Sequence, residues 1–326
     1  MKNIQRFLCV VLISFSLVLI CKASDVFSEK ADLAKWNGQY KEAFTLYLKS
    51  AELGNPESEF QIAIAYKLGQ GVERDTVKAL EWHRRAGEHG LCLAQWVLGD
   101  IYRYGRLDQE PDYGKAIKWY LMGSDHDTTD GCKLWSIKNI GDMYYRGVGV
   151  ARNIEEGVKW YRRAAYAGWS RSQLELGVML RDGINVRQDY TEAVILFRMA
   201  ATGGTSGGDP NGQRYLGEMY EHGKGLLQNY KEAAKWYWES ASQGNYWAQK
   251  DLARMYRDGL GVEQDLGEAY IWYSIAAVDE DEWQNFEATK QRDLIAKLLD
   301  PKSLNDLQEK TKERYKFIET RRYHGA

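Results

Sequence analysis

Apolar positions recur along most of this 326-residue chain as pairs of amphipathic helices. The stretch GDMYYRGVGVARNIEEGVKWYRRAAYAG, from Gly141 to Gly168, shows the unit: one helix, a glycine-bearing loop and a second helix. Related text starts at Ala63, Leu98, Leu176, Leu216 and Leu252. One apolar position in the first helix, Tyr66, Tyr102, Tyr144, Leu180, Tyr220 and Tyr256, recurs at spacings of 36, 42, 36, 40 and 36. A small residue in the second helix, Ala79, Ala116, Gly157, Ala193, Ala233 or Ala269, follows it by 13 residues, and by 14 only after Tyr102. A period of this length predicts stacked helix pairs that share one continuous core. Residues 25–54 read as a degenerate first unit, with Ala43, Phe44, Leu46 and Tyr47 on one side of a helix.

Each repeated residue type has a physical job. Ala63, Gly99, Gly141, Gly177, Gly217 and Ala253 precede the first marker by three residues, so both fall near one helical face. Their small size predicts close approach of a neighbouring helix. Trp82, Trp119, Trp160, Leu196, Trp236 and Trp272 follow the second marker by three residues and are expected to fill the hydrophobic layer. The Gly-x-Gly loops, such as Gly147-Val148-Gly149, lie between helices and lack a following Walker lysine, so they read as helix stops rather than phosphate cradles. Asp75, Asn153, Asp189, Asn229 and Asp265 stand where second helices need N-caps.

The ends depart from the repeat. Lys2 and Arg6 precede an apolar run, Phe7 to Ile20, and Cys21-Lys22-Ala23 places small residues before a cut after Ala23. Residues 1–23 therefore read as a secretory signal peptide, with a retained anchor or a lipoprotein cut before Cys21 as alternatives. Cleavage removes three cations and no acid, taking the formal charge from -2 to -5. That balance argues against a nucleic-acid partner. Of the four cysteines only Cys92 and Cys132 then remain. The residues alone leave two outcomes for them: a disulfide, which an oxidising compartment permits, or two buried thiols. Residues 279–326 read as capping helices over the last repeat, with Phe286, Leu294, Ile295 and Leu298 as one apolar set and Leu304, Leu307, Tyr315, Phe317 and Ile318 as another. The tail is basic, which suits an acidic partner, a membrane surface or simple solvation.

The longer periods locate the candidate binding positions. The spacing of 42 includes GSDHDTTDG, Gly123 to Gly131, and the spacing of 40 includes GGTSGGDPNG, Gly203 to Gly212. Such insertions form a binding border or are tolerated drift. On the first reading Asp125, His126, Asp127, Asp209 and Asn211 contact a partner. Repeat three also has a longer internal loop, Arg106 to Pro111. His83 stands where other repeats carry tyrosine or phenylalanine, and packing or partial exposure accounts for it. The five histidines have no metal-binding spacing, and no nucleophile motif is present. No cofactor, metal or catalytic residue is expected.

With these residues in view, the chain resembles the Sel1-like repeat family, relatives of tetratricopeptide proteins. The matching text is clearest in IGDMYYRGVGVARNIEEGVKWYRRAAYAG, Ile140 to Gly168, and extends over about residues 55–278 as six repeats. QRDLIAKLLDPKSLNDLQ, Gln291 to Gln308, is similar to the segment that follows such arrays. The resemblance implies an all-α, right-handed superhelical solenoid of antiparallel helix pairs. It also implies a scaffold for protein partners, here in the cell envelope or outside the cell, with membrane contact only through an uncleaved first segment or the basic tail. The alternative is a cell-wall hydrolase or a binder of peptidoglycan or β-lactams. The cysteine-rich subgroup associated with β-lactams carries a cysteine pair in each repeat, which is missing here.

Overall fold

Second helices in this chain begin on an Asp or Asn that accepts a hydrogen bond from the backbone N–H three residues on. Asp75, Asn153, Asp189, Asn229 and Asp265 all do so, at 2.9–3.1 Å. Asp112 caps a sixth helix in the same way at 2.9 Å. Each cap satisfies a helix-terminal donor that would otherwise lack a partner. The computed structural model describes residues 23–126, 131–203, 207–278 and 282–324, and among these residues every regular element is a helix. The signal-peptide segment lies outside the described residues up to residue 22, and so does Asp127.

The chain divides into two compact units, residues 1–160 and 161–326. The first contains α1 (residues 23–36), α2 (Tyr40–Glu52), α3 (Pro56–Leu68), α4 (Thr76–Glu88), α5 (Cys92–Tyr104), α6 (Tyr113–Ser124), α7 (Gly131–Arg146) and the start of α8 (Ile154–Tyr166). The second contains the end of α8, then α9 (Ser170–Asp182), α10 (Tyr190–Thr202), α11 (Pro210–His222), α12 (Tyr230–Ser242), α13 (Tyr246–Asp258), α14 (Leu266–Ala276), α15 (Glu282–Ala296) and α16 (Pro301–His324). In each unit consecutive helices pack on one another as pairs, which makes the fold a helical-repeat solenoid.

The small residues of the first helices receive aromatic rings. A Cβ at Gly99 would overlap the Tyr120 ring, one at Gly177 would lie 2.6 Å from Phe197, and one at Gly217 would lie 2.8 Å from Tyr237. This corrects the expected core residue. Tyr120, Phe197, Tyr237 and Tyr273 are buried, whereas Trp82, Trp119, Trp160 and Trp236, one position earlier, are only half-buried. A step of one residue rotates a side chain by about 100° around a helix, so only one of two adjacent aromatics faces the partner helix fully. Leu196 and Trp272 are the exceptions, both fully buried.

The loops stack on the preceding repeat. Gly261 has φ +71°, and a Cβ there would collide with the Tyr230 carbonyl at the start of α12. Only glycine fits both demands. The first insertion is partly helix rather than loop: α7 runs for 16 residues where other first helices have 13. At the C-terminal end, Ile295 and Ile318 are buried against the last repeat, and Arg314 pairs with Glu268 of α14. Phe286, Leu294 and Phe317 are exposed, so the two capping helices bury narrower faces than their sequences suggest, and Leu298, in the turn between them, is exposed as well.

Candidate protein-interaction surface

In the second unit, the first helices α9, α11 and α13 are tied side by side by arginine–carboxylate pairs. Arg181 of α9 meets Glu218 of α11 at 3.2 Å, and Arg214 of α11 meets Asp251 of α13 at 3.2 Å. Arg254 of α13 returns to Glu221 of α11 at 2.7 Å, and the Tyr237 hydroxyl donates to Glu221 at 2.9 Å. Burial pushes the Asp251 carboxyl above its ordinary range, while Arg214 and Arg254 pull it back. Burial also raises the Tyr237 phenol, with Asp251 and Glu221 adding to the shift. A perturbed carboxyl invites a general-acid reading, but here its causes are packing and arginine partners that join repeats.

Aromatic rings surface along this ladder. Trp247 of α13 is 47% exposed, with the Lys250 ammonium 5.0 Å and the Arg214 guanidinium 5.8 Å from its centroid. Arg181 and Arg214 lie 5.0 and 5.6 Å from the Tyr215 centroid. Tryptophan, tyrosine and arginine together are the side chains enriched at protein–protein contacts. Sequence reasoning missed this group because it keeps no register. Tyr215 stands two residues before the small position Gly217, and Trp247 stands six before Ala253.

In the first unit the insertion residues are held by local structure. The His126 ring nitrogen Nε2 lies 2.7 Å from Gln95 Oε1, and Gln95 in turn donates to the Gly87 carbonyl at 2.9 Å. Asp125 is exposed and ends α6. Cys92 and Cys132 are joined as a disulfide, with Cα atoms 5.9 Å apart, pinning the start of α7 to the start of α5 beside this insertion. Trp135, 42% exposed, leans on Trp96 with centroids 4.6 Å apart. In the second unit Asp209 caps α11 through the Asn211 and Gly212 amides and accepts from Ser170 at 3.3 Å. Asn211 is exposed and accepts from the Asn245 amide at 3.0 Å.

Elsewhere, the fully buried Glu59 carboxylate is paired with Arg85 at 2.5 Å and His89 at 2.8 Å, which fastens α3 to α4. Among the described residues, no three His, Cys, Asp or Glu side chains are grouped as metal ligands would be.

Stacked helix pairs with surface aromatics and inter-repeat ion pairs define an α-helical repeat protein. The Sel1 repeat model matches residues 33–55, 56–91, 92–127, 137–169, 170–205, 210–245 and 248–277, and the chain belongs to this family. The first of these matches, 33–55, overlaps the unit read from sequence as degenerate, 25–54. A crystallised Sel1 repeat protein from Oxalobacter formigenes is 31% identical with a TM-score of 0.54, the likeness covering 76% of this chain and 98% of that one. Chitin synthase regulatory factor 3 of Schizosaccharomyces pombe is 25% identical over 238 residues, 62% of this chain and 25% of its own. A component of an ERAD-associated E3 ubiquitin-protein ligase from Arabidopsis thaliana is 29% identical over 126 residues, 38% of this chain and 19% of its own. The chain spans about a third or less of the curated relatives it matches.

Proposed function

We propose that this protein is an exported, non-catalytic scaffold that binds a protein partner in the cell envelope or outside the cell. The observation that carries the binding reading is the exposed Trp247–Lys250–Arg214 group on the first-helix face of the second unit. The relatives act in the same sense: Sel1 repeat proteins serve as interaction scaffolds, one of them as a ligase component. Export is supported by the charged and apolar segment at residues 1–23 and by the Cys92–Cys132 disulfide, a bond that reducing compartments disfavour.

The test is affinity capture from envelope and secreted fractions of the source cells, with thiols blocked before and after reduction. The wild-type chain is expected in those fractions with its two array thiols labelled only after reduction, and in a saturable complex. The Trp247→Ala/Lys250→Ala variant is expected to melt like wild type and to lose about tenfold or more in affinity, as interface aromatics typically do. Unchanged capture by that variant would remove the surface assignment, and free thiols in a cytoplasmic fraction would remove the export assignment.

A further inference from the structure

Repeats three and six pair a second-helix tyrosine with a first-helix carboxylate, and repeat two does not. Tyr120 donates its hydroxyl to Asp100 of its own repeat's first helix at 2.6 Å, and Tyr237 donates at 2.9 Å to Glu221, about one turn further along the first helix of its repeat. At the position of Tyr237, repeat two has His83. At the positions of Asp100 and Glu221, one and four residues after the small residue, it has Ile64 and Lys67, neither of them a carboxylate. His83 is 2% exposed, and burial together with Lys67 lowers its pKa to about 4, so the imidazole is neutral at ordinary pH.

Beside it is a cavity of about 770 Å³ within the first unit, walled by α3, α4, α5 and the long internal loop of repeat three. His83 and Trp96 both line it, and His83 Nδ1 and Trp96 Nε1 are buried without a hydrogen-bond partner. Orphaned polar atoms of this kind are uncommon and call for an explanation. The charges around the cavity are unbalanced. Its acids are already engaged: Asp100 accepts from Tyr120 and lies 3.6 Å from Arg106, and Asp108 accepts from Thr76 at 2.6 Å. Among the described residues, Lys67 and Arg74 have no carboxylate partner. Val97, Ile101 and Leu107 supply apolar wall, and Leu107 and Asp108 hold positive φ without being glycine, a cost that structures concentrate at functional places.

We propose that this cavity binds a carboxylate carried on an apolar body, either a free organic acid or an acidic side chain of a peptide, through Lys67 and Arg74. The volume falls in the range of small-ligand sites, and two unpaired cations over an apolar wall select an anion with a hydrophobic tail. The neutral His83 imidazole leaves the charge selection to the two cations at the rim. This site is separate from the aromatic face of the second unit and does not depend on it.

The experiment is calorimetric titration of the full chain with 4-phenylbutyrate, 4-phenylbutanol and 4-phenylbutylamine, which share a body and differ in head group. A second arm uses the peptide Ac-Phe-Glu-NH2 and its Gln counterpart. Saturable binding of an acid, about tenfold or more tighter than its neutral counterpart, is expected. Saturation by phenylbutyrate identifies the free-acid source, and saturation by the Glu peptide alone identifies a peptide side chain. Lys67→Gln/Arg74→Gln is expected to abolish the preference for charge, while Lys41→Gln/Lys118→Gln leaves it intact. His83→Tyr restores the aromatic used by other repeats and is expected to fold, fill the cavity and lose binding. The proposal is overturned if neither acid saturates, if the alcohol binds as well as the acid, or if a folded His83→Tyr protein binds unchanged.

Discussion

Replacing Trp272 by alanine is expected to destabilise the second unit by about 3–5 kcal/mol. The indole is 1% exposed and sits in a core with Tyr237, Leu252, Met255 and Ile275. Arg314 of α16 lies over its ring at 5.2 Å, so the substitution also removes a surface against which the capping helix is seated. Trp36 provides the contrast. It is 88% exposed, and Trp36→Ala is expected to change stability by no more than about 0.5 kcal/mol. Urea unfolding of the two variants against wild type checks both values. Equal effects would mean that burial does not separate Trp272 from Trp36 as described.

The second large effect is acid lability at His83. The unfolded imidazole titrates near its ordinary pKa of 6.5, whereas the folded one is held at about 4 by burial, with Lys67 adding to the shift. Between those values the unfolded chain binds the extra proton and the folded chain does not. Stability is therefore retained above pH 6.5 and lost as pH falls, by about 2 kcal/mol between pH 7 and pH 5 and about 3 kcal/mol near pH 4. His83→Phe keeps an aromatic ring beside Phe60, whose ring centroid is 5.1 Å from that of His83, and removes the titration. Urea midpoints of wild type and His83→Phe are expected to diverge steadily from pH 7 to pH 5, with the variant less sensitive to acid. Parallel pH profiles would show that His83 is not buried as a neutral ring.

The features most legible in the sequence obey local rules. A helix cap depends on one side chain and an amide three residues away, so Asp75, Asn153, Asp189, Asn229 and Asp265 were readable from their positions alone. Close packing at Gly99, Gly177 and Gly217 was readable from their size and register. Which ring fills the space was not, because Trp and Tyr are adjacent in the second helices and one residue's rotation decides the matter. The apolar residues of α15 and α16 were similarly ambiguous: Ile295 and Ile318 pack, whereas Phe286 and Phe317 face solvent, since only one side of each helix meets the last repeat. The surface group around Trp247 carries no period at all. Its parts come from α11 and α13, and only tertiary packing brings Arg214 beside that indole. The His83 departure was visible as a substitution, but the cavity beside it, lined by two residues with orphaned nitrogens, requires the neighbouring helix and loop.

In the proposed function the repeats serve as a rigid support, and the partner is recognised by exposed first-helix side chains of the second unit. Backbone hydrogen exchange of the full chain, measured with and without its captured partner, tests this most directly. Slowed exchange is expected to concentrate in α11 and α13 around Tyr215 and Trp247, with the buried second-helix cores of α12 and α14 already slow in the free protein. Protection that omits α11 and α13 would contradict it.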